Sequence, residues 1–141
     1  GAFGANFPQN SKFMKKLFLL VAMAFITSFA SAQISFEQFN QINFKVTPQQ
    51  MTEQLANYGF DYNYYGNLEG TIDNQLVEVT FTTSQNGMIS EMKVVEINNL
   101  SDKEYNERYA QLSEKIQGIN NISLKREEPY EGKYRIAFIY E

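Results

Sequence analysis

Histidine, cysteine and tryptophan are all absent from this 141-residue chain. Without histidine a nucleophilic triad lacks its usual base. Without histidine and cysteine, zinc loses its commonest ligands. Without cysteine there is no disulfide, and no lipid can be attached through a cysteine at an export cleavage site. The eight glycines form neither G-x-G-x-x-G nor a Walker loop. No basic stripe exists to replace the counterions of a phosphate backbone, so nucleic acid is not an expected partner. The mild cluster Lys125-Arg126 is followed at once by Glu127-Glu128 and reads as a solvated strand face.

Long hydrophobic runs are also missing, with one exception. Leu17 to Ala30 is a 14-residue apolar stretch broken only by Thr27 and Ser28. It is shorter than the roughly 20 residues of a spanning helix. Lys15 and Lys16 precede it, and Ala30-Ser31-Ala32 supplies an A-x-A cleavage site. Residues 14–32 therefore read as a signal peptide, with cleavage expected after Ala32 and Gln33 as the mature N-terminus. The protein is expected to be exported, to the periplasm or the extracellular space, and not to span the membrane after cleavage. Residues 1–13 precede Met14, the expected initiator, and are expected to be an extra segment outside the fold.

Residues 33–141 are enough for one domain with a modest core. They hold nine Lys and Arg against sixteen Asp and Glu, a net charge of −7. All nine tyrosines lie here too, among abundant Asn and Gln. This is the composition of a bacterial exported domain that rests on packing alone. The sequons Asn99-Leu100-Ser101 and Asn121-Ile122-Ser123 matter only in a eukaryotic host, and the short lysine-led signal points to a bacterial one.

Gln33 to Lys45 reads as an extended lead-in with Phe36, Phe39, Ile42 and Phe44 partly packed. Thr47-Pro48-x-Gln50 is a helix start with a capping box, stapled by Val46 and Met51. The helix runs to about Tyr58, and Gly59 stops it. Phe60, Tyr62 and Tyr64 alternate as a strand ended by Gly66. Leu68-Ile72 and the turn Asp73-Asn74 follow. Gln75 to Thr83 is the clearest strand, with Val77, Val79 and Phe81 on one face. Asn86-Gly87 signals a two-residue type I′ hairpin pairing Phe81 with Met92 and Val79 with Val94. Ser101-x-x-Glu104 caps a second helix whose stripe is Tyr105, Tyr109, Leu112, Ile116 and Ile119. A last hairpin places Ile122, Leu124, Tyr134, Ile136, Phe138 and Tyr140 inward.

The order α-β-β-β(-β)-α-β-β predicts an α+β fold of two layers, with two helices on one face of a mainly antiparallel sheet. The two halves hint at duplication (helix, glycine stop, antiparallel strands) without a residue-level repeat. Phe39-x-x-Ile42-x-Phe44, the helix capped at Thr47, Leu55 and the Gly59-Phe60 stop resemble a type of small exported Bacteroidota protein. In these an F-K-G-I-P-like strand enters a capped helix ending in G-F or G-Y, and a hairpin and a tyrosine-bearing helix follow. Gln41 and Asn43 stand here in place of the Gly and Pro. The resemblance implies a fold and carries over no functional residue. The architecture is also similar to helix-on-sheet modules of the β-lactamase-inhibitor-protein type.

Asp61 to Gly66 begins like an EF-hand loop but has Tyr65 at the fifth position and Ile72 at the twelfth. No metal and no cofactor is expected. Carboxylate-pair chemistry could draw on Glu78, Glu91 and Glu96, though alternation on a half-exposed hairpin suits solubility better. The expected function is thus an exported non-enzymatic binding module of the bacterial envelope. Another envelope protein or a glycan would be its partner. The alternative is a small carboxylate-pair hydrolase of an envelope polymer. The candidate interaction surface is Tyr65, Tyr130, Ile89, Val95 and Ile97. Tyr65 and Tyr130 lie at turns. Ile89, Val95 and Ile97 point away from the core face, beside Thr80, Thr82, Glu91 and Lys93, if the hairpin register holds. That trio is either an exposed patch or is covered, and cover by the Phe36–Phe44 lead-in or by sheet curvature is the preferred reading.

Overall fold

Three capping boxes set three helices in the computed structural model, which describes residues 33–141. Thr47 Oγ1 accepts the N–H of Gln50, whose side chain accepts the N–H of Thr47; Pro48–Ala56 (α2) follows. Ser101 and Glu104 repeat the arrangement before Asp102–Lys115 (α3). The third box, Ser35 with Gln38, opens Phe36–Asn40 (α1) in the segment expected to be extended. Five residues cannot hold a helix by propensity. Burial of Phe36 and Phe39, and the Tyr140 hydroxyl donating to Asn40 Oδ1 at 2.7 Å, hold this one. The signal-peptide reading and the segment before Met14 fall on residues 1–32, outside the described residues.

The strands are Asp61–Tyr62 (β1), Leu68–Ile72 (β2), Gln75–Thr83 (β3), Ile89–Glu96 (β4), Ile122–Tyr130 (β5) and Lys133–Tyr140 (β6). They form one antiparallel sheet in the order β1-β2-β3-β4-β6-β5. Residues from all three helices join one hydrophobic cluster with one face of the sheet. Met51, Leu55, Tyr105 and Leu112 meet Val77, Val79, Val94, Ile136 and Phe138 there. The fold is the two-layer α+β arrangement, with three helices among the described residues where two were expected. Tyr109, expected in the stripe, is half-exposed and lays its ring near that of buried Tyr105. Among the described residues no helix is long and apolar enough to cross a membrane.

The central hairpin keeps its expected pairs, Phe81 with Met92 and Val79 with Val94, by a different route. Gly87 has φ +79° and Asn86 is not in the positive region, so the turn is not type I′. Gly87 N–H donates to the Ser84 carbonyl, and Ser84 N–H to that of Met88, closing a three-residue loop. That loop shifts the register by one. Ser90 restores it as a bulge, since Thr83 pairs with Ile89 but Thr82 with Glu91. Between loop and bulge the side chains change face. Ile89 consequently enters the main core, 1% exposed, and is no part of a surface. The type I′ geometry instead occurs at Asp73-Asn74, both with positive φ, between the paired Ile72 and Gln75.

The two halves match at the level of hydrogen bonds. Val46 and Leu100 each precede an N-cap, and Ile89 and Tyr134 each follow a positive-φ glycine by two residues. Ile89 N–H donates to the Val46 carbonyl and Tyr134 N–H to the Leu100 carbonyl, both at 2.8 Å. Each helix start is thus clipped to the return strand of a hairpin. The hairpins β3–β4 and β5–β6 meet through antiparallel β4 and β6, as a two-fold axis normal to the sheet would place them. The β1–β2 unit, inserted between α2 and β3, has no counterpart in the second half.

Candidate functional site

The loop between β1 and β2 is organised by one residue. Asn63 N–H donates to the Asn67 carbonyl, and Gly66 N–H to the Asn63 carbonyl. Asn63 Oδ1 accepts the N–H groups of Tyr65 and Asn67, both at 3.0 Å. Its Nδ2 donates to Glu69 Oε2 at 3.1 Å and Glu78 Oε2 at 2.7 Å. Asn63 thereby ties a tight turn to two neighbouring strands, with Gly66 at φ +79° completing the turn. Sequence reasoning did not single it out; Asn followed three residues on by Gly was the available signal. On this pinned turn Tyr64 and Tyr65 are 97% and 81% exposed, and Tyr62, at the end of β1 beside it, is 60% exposed. The rings of Tyr64 and Tyr65 meet edge to face, centroids 5.5 Å apart.

Beside them lies a groove of about 410 Å³ between α2 and the β1–β3 end of the sheet. Pro48, Gln49, Thr52 and Glu53 form one wall, Tyr62, Gly66 and Asn67 the other. Leu68, Val79 and Phe81 add apolar surface to its lining. The volume falls within the range of small-ligand clefts, roughly 300–1,000 Å³.

The other candidate residues are not brought together with this rim. Tyr130, 64% exposed, ends β5 at the opposite edge of the sheet. Val95 lies on the face away from the helices, in a small buried cluster with Ala137 and Ile139. Half-buried Ile97 follows the end of β4. The lead-in does not cover that face, because Phe36, Phe39 and Phe44 join the main core on the helix side. What accompanies Val95 is its own sheet: Ala137 is its partner on β6, and Lys93 reaches across that strand to Glu127 on β5 at 2.8 Å. Next to the cluster a shallow depression of about 250 Å³ is lined by Thr80, Thr82, Glu91, Lys93, Lys125 and Ile139.

A third cavity, about 210 Å³, lies at α3 and has four charged lining residues. Gln75, Glu96, Asn98, Leu100, Glu104, Glu107, Arg108 and Gln111 line it. Glu96, only 4% exposed, receives both arms of the Arg108 fork, Nε at 3.0 Å and Nη2 at 2.7 Å. That pairing raises the Arg108 guanidinium above its ordinary value. Glu104 serves the helix cap, and the Ser101 N–H and hydroxyl hold its carboxyl below the usual range. Of the carboxylates weighed for hydrolysis, Glu96 is therefore apart from Glu78 and Glu91, which share the other face of the sheet. Glu96 faces the helices against Arg108, while Glu78 is bound by Asn63 on the opposite face. Glu69 and Glu78 both accept from Asn63 Nδ2, which places those oxygens within about 6 Å of each other, near the spacing of a retaining pair. The amide occupies the space between them, and neither lines any of the three cavities. Among the described residues no group of three acidic side chains is placed to hold a metal ion. No family model, curated protein or solved structure matches this chain.

Proposed function

We propose that the protein is an exported, non-enzymatic binding module of the bacterial envelope, and that its binding surface is the tyrosine-bearing β1–β2 turn with the groove beside it. The observation that carries this reading is the pinned display of Tyr62, Tyr64 and Tyr65. Rigid aromatic rings give contact area at low entropic cost, and a preformed turn avoids the cost of ordering a loop on binding. With α1, the β1–β2 unit is what the first half carries beyond the scaffold shared with the second, so the fold's own repeat does not account for it. Of the surface residues considered, Tyr65 belongs to this site, with Tyr62 and Tyr64 added. Tyr130, Val95 and Ile97 lie outside it, and Ile89 is core. Capture from the native host's envelope fraction tests the reading. The parent protein retains a partner that Tyr64→Ala/Tyr65→Ala loses at unchanged melting temperature; equal capture by both would refute it.

A further inference from the structure

Charge narrows what the groove can take. Of the other cavities described above, the one at α3 holds Glu96, Glu104, Glu107 and Arg108, and the depression on the open face holds Glu91, Lys93 and Lys125. The groove beside the tyrosines has a single charged lining residue, Glu53, and no cation. An anionic ligand would meet a carboxylate and find nothing to pair with, on a domain already strongly acidic. The remaining lining chemistry is an aromatic ring, two primary amides and two threonines over apolar surface: Tyr62, Gln49, Asn67, Thr52 and Thr80 with Leu68 and Phe81, the Thr52 hydroxyl donating to the Pro48 carbonyl and so free only to accept.

A protein partner would want a broader apolar core than this rim offers. Standard interfaces bury about 800 Å² on each partner around an apolar centre. Here the exposed tyrosines lie at the end of β1 and on the turn after it, separated by Asn63 and bounded by Gly66 and Asn67. A pyranose ring suits such a site better. Its C–H face is weakly positive and lies on the negative face of an aromatic ring. Its hydroxyls both donate and accept, which amides, hydroxyls and a carboxylate answer. Tyr64 and Tyr65 do not line the groove but follow Tyr62 on the adjoining turn, where they remain exposed.

We infer that this groove binds a neutral polysaccharide, with Tyr62 as the stacking platform and Gln49, Glu53 and Asn67 reading its hydroxyls. The inference rests on the binding-module reading and names its ligand class. Affinity electrophoresis of the purified protein tests it. Native gels would carry soluble neutral polymers in turn (a β-glucan, a xylan and a mannan), with alginate as the anionic arm and a chitosan oligomer as the cationic one. The expected result is retardation by at least one neutral polymer and none by alginate. Tyr62→Ala should weaken that binding about tenfold or more, the loss typical of a truncated aromatic anchor. Gln49→Ala, on the exposed face of α2, should weaken it less. Tyr130→Ala, at the far edge of the sheet, should migrate like the parent, and all variants should melt with it. Binding to no neutral polymer, preference for either charged one, or a Tyr62→Ala protein that binds like the parent would overturn the inference. Should no neutral polymer bind while capture from the envelope fraction still depends on Tyr64 and Tyr65, the ligand class falls and the binding reading stands. If tyrosine dependence is lost in both experiments, both fall.

Discussion

Removing the Arg108 head group should cost this domain a large part of its stability. Arg108→Met keeps an aliphatic stem at that position of α3 and deletes the two-armed contact to Glu96. What is left is a carboxylate almost wholly out of water on the helix-facing side of β4. Breaking a fully buried pair from one side costs about 3–5 kcal/mol. The Arg108 side chain is 30% exposed, so water can reach the vacated space, and the expected loss is reduced to about 2–3 kcal/mol. For a domain of this size that corresponds to a fall in melting temperature of about 10–15 °C. Glu96→Leu alone should also destabilise, because it leaves the partly buried guanidinium without its carboxylate, with only Gln111 Oε1 still accepting from it. The double variant Glu96→Leu/Arg108→Met removes both charges and should be more stable than Arg108→Met alone. Urea unfolding followed by circular dichroism gives all four corners of the cycle. A loss below about 0.5 kcal/mol for Arg108→Met would mean that the pair is solvated in the manner of a surface bridge. A double variant as unstable as the sum of the singles would show that the two groups do not interact.

Three further outcomes follow from single positions. A Cβ on Gly70 would sit 2.5 Å from the ring of buried Phe60, so Gly70→Ala should cost about 1–3 kcal/mol of overpacking, partly recovered by Phe60→Leu; equal denaturation midpoints would refute the close approach. Gly87→Val forces a β-branched residue to φ +79° in the central loop and should cost about 1–2 kcal/mol in the same assay; no loss would mean the loop is placed wrongly. Glu104 has its folded carboxyl held low by Ser101, so the cap contribution is present above the unfolded value of 4.5 and is lost as pH falls through the folded one. Stability measured from pH 6 downward should therefore decline less steeply in Glu104→Gln than in the parent, and parallel curves would refute that linkage.

Much of the scaffold was legible in the chain because its signals are local. Thr47-x-x-Gln50 and Ser101-x-x-Glu104 state two helix starts outright, and alternation from Val77 to Phe81 states the face of β3. The same grammar at Ser35-x-x-Gln38 was missed because five helical residues give no periodicity to read. Ile89 was misplaced for a subtler reason. A three-residue loop followed by a one-residue bulge leaves the distant pairs where a two-residue turn would put them, so the pattern beyond Glu91 carries no trace of the detour. Duplication was visible only as an outline, since its strongest marks are backbone bonds from Val46 to Ile89 and from Leu100 to Tyr134, which any side chain can make. The site was half legible. Exposed tyrosines at a turn could be suspected, but the binding of Asn63 to Glu69 and Glu78, and of Glu96 to Arg108, depends on strands and helices meeting across the fold.

The nine tyrosines allow a direct measurement of where a partner sits. Mild nitration of the purified protein, read residue by residue by mass spectrometry, should modify Tyr62, Tyr64, Tyr65 and Tyr130, the four most exposed. Buried Tyr140, whose phenol burial pushes well above its usual range, should stay unmodified. With saturating partner, whether a captured envelope component or a retarding polysaccharide, Tyr62, Tyr64 and Tyr65 should be protected and Tyr130 should react as before. Protection of Tyr130 with the three β1–β2 tyrosines still reactive would contradict the assignment of the binding surface.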